Sequence, residues 1–180
     1  MSEKLTQTEQ NDNNTCLDSE FDDKKCVFCE IIAKNDPTKI LEPRGNKFVI
    51  VKDIHPVANH HFLVISREHI PTVKSLKPIP EHRELLNSMF TAAKQVLVNN
   101  GETSLSNSRF GFHWPPFYTV GHLHLHAISP VNSMAWYFRY IGFNPHCSLI
   151  FVDINYVRKR IGSIDEEIDK NSKYSKNNEI

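Results

Sequence analysis

The chain has 180 residues, of which 39% are apolar, so it can bury one sizeable hydrophobic core. Its 21 basic residues equal its 21 acidic residues, and this balance provides no long-range positive field that would gather nucleic acid. We expect neither a membrane span nor a secretory signal, because no apolar run approaches the roughly 20 residues of a bilayer crossing and the first residues lack an apolar stretch.

The two ends of the chain differ in composition from its middle. They are rich in polar and charged residues with isolated apolar ones, which cannot offset the entropy of ordering. We expect a disordered polar tail over residues 1–25, one domain over residues 26–162 and a flexible polar tail over residues 163–180. The expected location is the cytoplasm, with the nucleus as an additional one. In that reducing setting the cysteines are expected to be thiols or metal ligands.

The first predicted element is a short helix that ends before Pro37. Its apolar residues recur at helical spacing and are Val27, Phe28, Ile31 and Ile32. Two β-prone runs, at residues 40–41 and 48–51, flank a turn-rich stretch and predict a hairpin. Residues 62–65 predict the next strand, which is apolar throughout and therefore buried.

The longest predicted element is a helix that opens at Pro80 and carries an apolar stripe until residues 99–101 stop it. Residues 109–113 predict a strand, which the two prolines that follow Trp114 interrupt because proline cannot donate to a ladder. The run at residues 147–154 fits either a further strand or the start of a buried helix. Together these elements predict an α+β domain with an antiparallel sheet of about five strands, one short N-terminal helix and one long central helix.

Residues 122–128 alternate strictly between histidine and apolar residues. As a strand, this segment places His122, His124 and His126 on one face and the apolar residues on the other. The ordinary pKa of imidazole is close to neutrality, which suits it to nucleophilic attack and to proton transfer. The pattern also fits a half-exposed strand or a metal site built from alternate imidazoles, although no Asp or Glu between Glu102 and Asp153 is available to orient metal ligands.

This alternation resembles the signature of the histidine triad family. Residues 53–70 are similar to the family's nucleotide-binding strand pair, and residues 26–32 are similar to its opening helix. Residues 110–117 are similar to the third type of nucleotide-binding protein within the family. They depart from its commonest members, which carry Asn in place of His113 and a glycine-rich loop in place of residues 114–117. The resemblance covers residues 26–129 and implies the histidine triad fold.

The resemblance implies a purine nucleoside phosphoramidase that hydrolyses adenosine 5′-monophosphoramidates and acyl- or lysyl-adenylates to AMP. His124 would attack the α-phosphorus and form a nucleotidyl-histidine that water then hydrolyses. His126 would contact the phosphate oxygens, where a hydrogen bond that strengthens with developing charge lowers the barrier. His122 and His61 would complete the cluster, and the Thr119 hydroxyl would donate to the leaving group.

The resemblance also implies a site for the purine and the ribose. Asp53 would accept hydrogen bonds from the ribose hydroxyls. The other residues expected to line the base slot or to contact the substrate are Val27, Phe28, Ile31, Val51, Ile54, Leu63, His113 and Leu125. Strand alternation turns only one of the adjacent histidines 60 and 61 toward the site, and the family match selects His61 over His60.

No cofactor is expected to be required. The Cys26-x-x-Cys29 spacing is half of a zinc site, and the resemblance adds His69 and His122 as candidate ligands of a structural zinc. The expected partners are a purine nucleotide substrate and further copies of the chain, in a homodimer or larger assembly. No membrane partner is expected, and nucleic acid is disfavoured. Two alternative functions stay open: a DNA 5′-adenylate hydrolase of the aprataxin type, and a nucleotide-binding scaffold with incidental catalysis.

Overall fold

The computed structural model describes residues 26–35, 40–42, 47–146 and 149–162. The predicted polar tails at residues 1–25 and 163–180 and the turn of the predicted hairpin lie outside the described residues. Within the described part of the chain, none of the helices combines the length and the apolar character that a bilayer crossing requires.

Three α-helices form among the described residues, each where local signals favour it. Helix α1 spans Val27–Lys34 and ends at Asn35, which adopts the left-handed conformation common at helix C-termini. Helix α2 spans Pro80–Asn99, with proline in its first turn, where the missing N–H costs nothing. Helix α3 spans Ile154–Ile161, and the Asp153 side chain caps it by accepting from the backbone N–H of Asn155 at 2.7 Å.

In the part of the chain that the structure describes, six strands form one antiparallel sheet with the order β1-β2-β3-β5-β4-β6. The strands are β1 (Ile40–Glu42), β2 (Phe48–Lys52), β3 (His60–Ser66), β4 (Arg109–His113), β5 (His124–Ser129) and β6 (Phe151–Asp153). The α+β prediction is therefore confirmed, with one strand more than the expected five. The additional strand arises because the run at residues 147–154 supplies both β6 and the first residue of α3.

The histidine strand begins two residues later than predicted. The backbone N–H of His122 donates to the carbonyl of Val120 at 2.9 Å, and that of Leu123 donates to Ile70 at 2.7 Å. The first bond closes a turn before β5 and the second ties Leu123 to the segment after β3, so His122 precedes the strand while His124 opens it.

Alternation along β3 and β5 divides the apolar residues between the two faces of the sheet. Phe62, Val64, Leu125 and Ala127 join the large core beneath α2. The residues between them face the other way, where two smaller apolar clusters lie beside α1 and beside Phe143. The histidines of β5 therefore stand on the face opposite α2.

Candidate active site

Strand β5 lies in the middle of the sheet, between β3 and β4, and carries two histidines into a buried site. His126 is opposite Leu63 on β3 and Gly111 on β4. The His124 and His126 side chains are 8% and 4% exposed. Because the apolar residues of β5 are anchored in the large core, both imidazoles are fixed to a rigid element.

The chain just before β5 orients the ring of His124. Its Nδ1–H donates to the backbone carbonyl of His122. A carbonyl oxygen only accepts, so this bond fixes the tautomer with hydrogen on Nδ1. The Nε2 of His124 therefore carries the lone pair. The ring of Phe28 packs edge-on against His124, with the ring centres 5.2 Å apart.

A second chain of hydrogen bonds fixes the tautomer of His126. The backbone N–H of Val57 donates to Nδ1 of His61 at 3.4 Å, so His61 carries its hydrogen on Nε2. That Nε2–H points to Nδ1 of His126 at 2.9 Å and lies 3.4 Å from Oδ2 of Asp53. His126 must then carry its hydrogen on Nε2, a buried atom with no hydrogen-bond partner among the described residues. The site thus combines a nucleophilic nitrogen, Nε2 of His124, with a neutral hydrogen-bond donor, the Nε2–H of His126.

Burial keeps these imidazoles uncharged. It lowers the pKa of His124 to about 4, against the opposing effect of the bond to the His122 carbonyl. It also lowers the pKa of His61 to about 4, although the Asp53 carboxylate acts in the opposite direction. The pKa of His126 lies well below its usual range, first through burial and then through the neighbouring His124 and His61. At neutral pH, His124 therefore keeps its lone pair.

Four metal-ligating side chains meet at the N-terminal end of α1. The Sγ of Cys26 lies 3.4 Å and the Sγ of Cys29 lies 3.5 Å from Nδ1 of His122, and Cys29 Sγ lies 3.1 Å from Nδ1 of His69. All four ligand atoms lie within 4.8 Å of one another. The Nε2–H of His122 donates to the carbonyl of Ser66 at 2.7 Å, which leaves its Nδ1 lone pair facing the cysteines. This donor set matches a tetrahedral zinc site.

Four residues predicted for the base slot come together on the α1 side of the sheet. Phe28, Val51 and Leu63 are buried in one cluster, and Ile31 packs against it. Through Phe28 this cluster borders His124. Apolar walls beside the nucleophile suit a flat base.

The structure does not bring every predicted contact residue to this site. The side chain of Ile54 is 85% exposed and that of Val27 is 45% exposed, and neither belongs to the cluster. Leu125 packs in the large core on the other face of the sheet, as its position between two histidines requires. Thr119 is exposed in the loop before β5.

A cleft opens beside His124 on the β4 side of the site. Its walls include Thr72, Val73, His113, Tyr118, His122 and His124. The family resemblance implied Thr119 as the hydroxyl residue near the leaving group, but Tyr118 is the neighbour that lines the cleft. The path of the loop after the two prolines decides which side chain turns inward, and no periodicity marks that path.

Aromatic rings surround His126 on its β4 side. The His113 ring is 4.9 Å from it, Phe143 is 5.3 Å away and Phe151 is 6.0 Å away, measured between ring centres. The resemblance identified His113 but neither phenylalanine. Phe143 lies in a loop and Phe151 in a run of ambiguous structure, so no spacing signal could identify them.

Comparison with known proteins gives consistent matches. The family model described as "Scavenger mRNA decapping enzyme C-term binding" matches residues 25–141. The chain is 35% identical over 140 residues to adenosine 5′-monophosphoramidase HINT3 of Mus musculus, covering 77% of this chain and 82% of that protein. It is 41% identical over 104 residues to bifunctional adenosine 5′-phosphosulfate phosphorylase/adenylylsulfatase HINT4 of Arabidopsis thaliana, covering 58% and 69% respectively. A solved HIT family hydrolase from Clostridium thermocellum is 31% identical with a TM-score of 0.51, covering 58% of this chain and 90% of that one.

Proposed function

Because the chain belongs to the histidine triad family, we propose that it is a hydrolase that releases AMP from adenosine 5′-monophosphoramidates and from acyl- or lysyl-adenylates. The observation that carries this proposal is the pair of fixed tautomers on β5. His124 has a free lone pair on Nε2 and His126 has a free N–H on Nε2. A nucleophile and a neutral donor side by side are what displacement at phosphorus requires.

The first step is attack by Nε2 of His124 on the α-phosphorus. The bond to the leaving group breaks, and an amine leaving group takes up one proton from solvent as it departs, which the later addition of water returns. The imidazole becomes positively charged when it bonds to phosphorus, and the His122 carbonyl that already accepts from its Nδ1–H stabilises that charge. The Nε2–H of His126 donates to a phosphate oxygen, where negative charge accumulates.

The second step is hydrolysis of the nucleotidyl-histidine. Water adds to phosphorus, the bond to Nε2 of His124 breaks, and AMP leaves with the ring again neutral. The ring returns easily to its neutral form because burial holds the pKa of His124 at about 4. The net reaction consumes one water for each phosphoramidate and yields AMP and the amine.

The nucleotide occupies the α1 side of the sheet in this proposal. The purine packs in the slot of Phe28, Ile31, Val51 and Leu63, and the ribose lies toward Asp53 at the end of β2. Oδ1 of Asp53 accepts from the backbone N–H of His55 at 2.8 Å, and its remaining lone pairs can accept from the ribose hydroxyls.

A structural zinc belongs to the same proposal. Cys26, Cys29, His69 and His122 would hold it, and four protein ligands leave no open position for water or substrate. The metal would therefore tie α1 to the segment before β5 without taking part in the chemistry. The family likeness also supports a homodimer or larger assembly, which light scattering measures directly.

The test is AMP release from an adenosine 5′-phosphoramidate and a lysyl-adenylate by wild type, His124→Gln and His60→Gln. His60 adjoins His61 but lies on the other face of β3, stacked on Phe62, so it is the matched control. We expect His124→Gln to lose roughly a thousandfold or more in kcat/KM and His60→Gln to stay within about twofold. Comparable turnover by His124→Gln would contradict the proposal.

The same assay separates the two alternative functions. Faster AMP release from adenylylated DNA ends than from either small substrate would assign the chain to DNA-end processing. Nucleotide binding without turnover by wild type would identify a scaffold protein. The balanced net charge favours the small substrates, because it provides little attraction to a duplex.

A further inference from the structure

A fourth imidazole, outside the alternating motif, lies beside the nucleophile. His113 ends β4, next to β5 in the sheet, and its ring meets that of His126 edge-on at an interplanar angle of 88°. Phe143 and Phe151 pack on its other sides, with ring centres 4.8 Å and 5.4 Å away. The mechanism above assigns no step to this ring, although it lines the cleft that also borders His124.

Its hydrogen bonding fixes which nitrogen faces the cleft as an acceptor. The Nδ1 of His113 lies 3.4 Å from the backbone carbonyl of Ile150, which can only accept, so Nδ1 carries the hydrogen. Nε2 then carries a lone pair, and no protein donor to it occurs within the described ranges. Burial lowers the pKa of His113, which keeps that lone pair unprotonated at neutral pH.

The strand order places His113 on the side of β5 away from the proposed nucleotide slot. The proposed nucleotide slot lies beside β2 and β3, and β4 lies on the opposite side of β5. In the proposed binding mode, with the base in that slot, the leaving group of the phosphorus atom lies toward the cleft that His113 and His124 both line. An asparagine at this position would offer both a donor and an acceptor, whereas His113 in this tautomer offers only an acceptor.

We propose that His113 determines leaving-group specificity by accepting a hydrogen bond from the N–H of a departing amine. The inference rests on the proposed phosphoramidase activity. It predicts a preference for phosphoramidates whose leaving nitrogen carries hydrogen over substrates whose leaving atom has none. His113 gains and loses no proton in this role: the departing amine takes its proton from solvent, and the later hydrolysis of the nucleotidyl-histidine returns one proton to solvent. A leaving group that presents only acceptor oxygens cannot form this hydrogen bond, because the Nε2 of His113 is itself an acceptor.

The test uses two substrates that differ in a single N–H: adenosine 5′-(N-propyl)phosphoramidate and its N-methyl-N-propyl counterpart. His113→Phe keeps an aromatic ring against Phe143 and Phe151 but has no acceptor, whereas His113→Asn retains one. The measured quantity is kcat/KM for the N-propyl substrate divided by kcat/KM for the N-methyl-N-propyl substrate, determined for each protein. The added methyl group changes bulk in every protein alike, so its effect cancels when the ratios are compared.

We expect His113→Phe to lower the wild-type ratio by roughly 3- to 10-fold, the usual value of one neutral hydrogen bond, through slower turnover of the N–H substrate. His113→Asn should keep a ratio close to that of wild type, because its side chain still offers an acceptor. An unchanged ratio in a folded His113→Phe protein would overturn the role of His113 while leaving the phosphoramidase intact. Failure of wild type to hydrolyse either substrate would instead refute the proposed function.

A measurement on the wild-type protein tests the same inference without relying on a variant. Imidazole ¹⁵N spectra at neutral pH, with the His113 signals assigned by their loss in His113→Asn, should show hydrogen on Nδ1 and a bare Nε2. Hydrogen on Nε2 would make this ring a donor toward the cleft and would overturn the proposed specificity.

Discussion

Substitution of Gly111 by alanine tests how tightly the β4 side of the site is built. Gly111 pairs with His126 on one side and with Asp153 on the other. A Cβ at this position would lie 2.2 Å from the backbone oxygen of Val152 and 2.5 Å from the ring of Phe151. The ring could rotate, but the carbonyl belongs to a strand that is paired with β4. The substitution therefore has to displace β6 as a whole.

The expected cost follows from this geometry. Overpacking a buried position usually costs about 1–3 kcal/mol, and a clash with backbone favours the upper half of that range. For a domain of this size, that loss lowers Tm by roughly 6–12 °C. The displaced Phe151 ring also contacts both His113 and His126, so kcat/KM for a phosphoramidate should fall together with stability.

The assay is thermal unfolding of Gly111→Ala and Gly142→Ala beside wild type, with kcat/KM measured well below each Tm. Gly142→Ala is the matched control, because the nearest atom to its new Cβ is a Phe138 ring carbon at 3.5 Å, an ordinary contact. Its Tm should stay within about 2 °C of wild type. A Gly111→Ala protein with wild-type Tm and wild-type kcat/KM would refute the arrangement of β4, β6 and Phe151 described above.

Three further predictions concern the histidines, the base slot and the metal ligands. Burial lowers the pKa of His124 and of His61 from 6.5 to about 4, so kcat/KM, corrected for uncatalysed hydrolysis, should not show an acid limb near pH 6.5. Between pH 6.5 and 4 the unfolded chain binds protons at these two rings and the folded protein does not. The free energy of unfolding should therefore fall as the pH is lowered through that interval. A free energy of unfolding that stays constant there in urea titrations would contradict the burial of the two rings. Phe28→Ala should raise KM for adenylates by roughly tenfold with a smaller change in kcat, and an unaltered KM would place the base elsewhere. Cys29→Ser should reduce bound zinc, measured by metal analysis, to a small fraction of the wild-type content and lower Tm, whereas equal zinc in both proteins would exclude the proposed ligand set.

The elements that were predicted correctly are those whose signals are local. Alternation at residues 122–128 requires only the strand period of two, and the structure places His124 and His126 on the face that this period predicts. Pro80 and the apolar stripe after it mark α2 in the same way. Alternation required that only one of histidines 60 and 61 face the site, the family resemblance selected His61, and the structure buries His61 against His126.

The features that the sequence did not specify depend on contacts between distant segments. The run at residues 147–154 is apolar throughout and has no period, so only its pairing with β4 makes Phe151 a strand residue. The Cys26-x-x-Cys29 spacing is half of a metal site, and the other two candidate ligands, His69 and His122, were named by the family resemblance and not by spacing, because they lie far along the chain. Tyr118 lines the cleft and Thr119 does not, because the loop after Trp114 follows a path that no local pattern encodes.

In the proposed mechanism, Nε2 of His124 becomes covalently bonded to the nucleotide. Rapid mixing with an adenosine 5′-phosphoramidate, acid quenching and mass spectrometry of the peptides measures this directly. We predict one adenylyl group on the peptide that contains residues 122–128, located on His124 by fragmentation and absent from His124→Gln. Adenylylation of a different residue, or steady turnover with no adduct at any quench time in wild type, would contradict the mechanism.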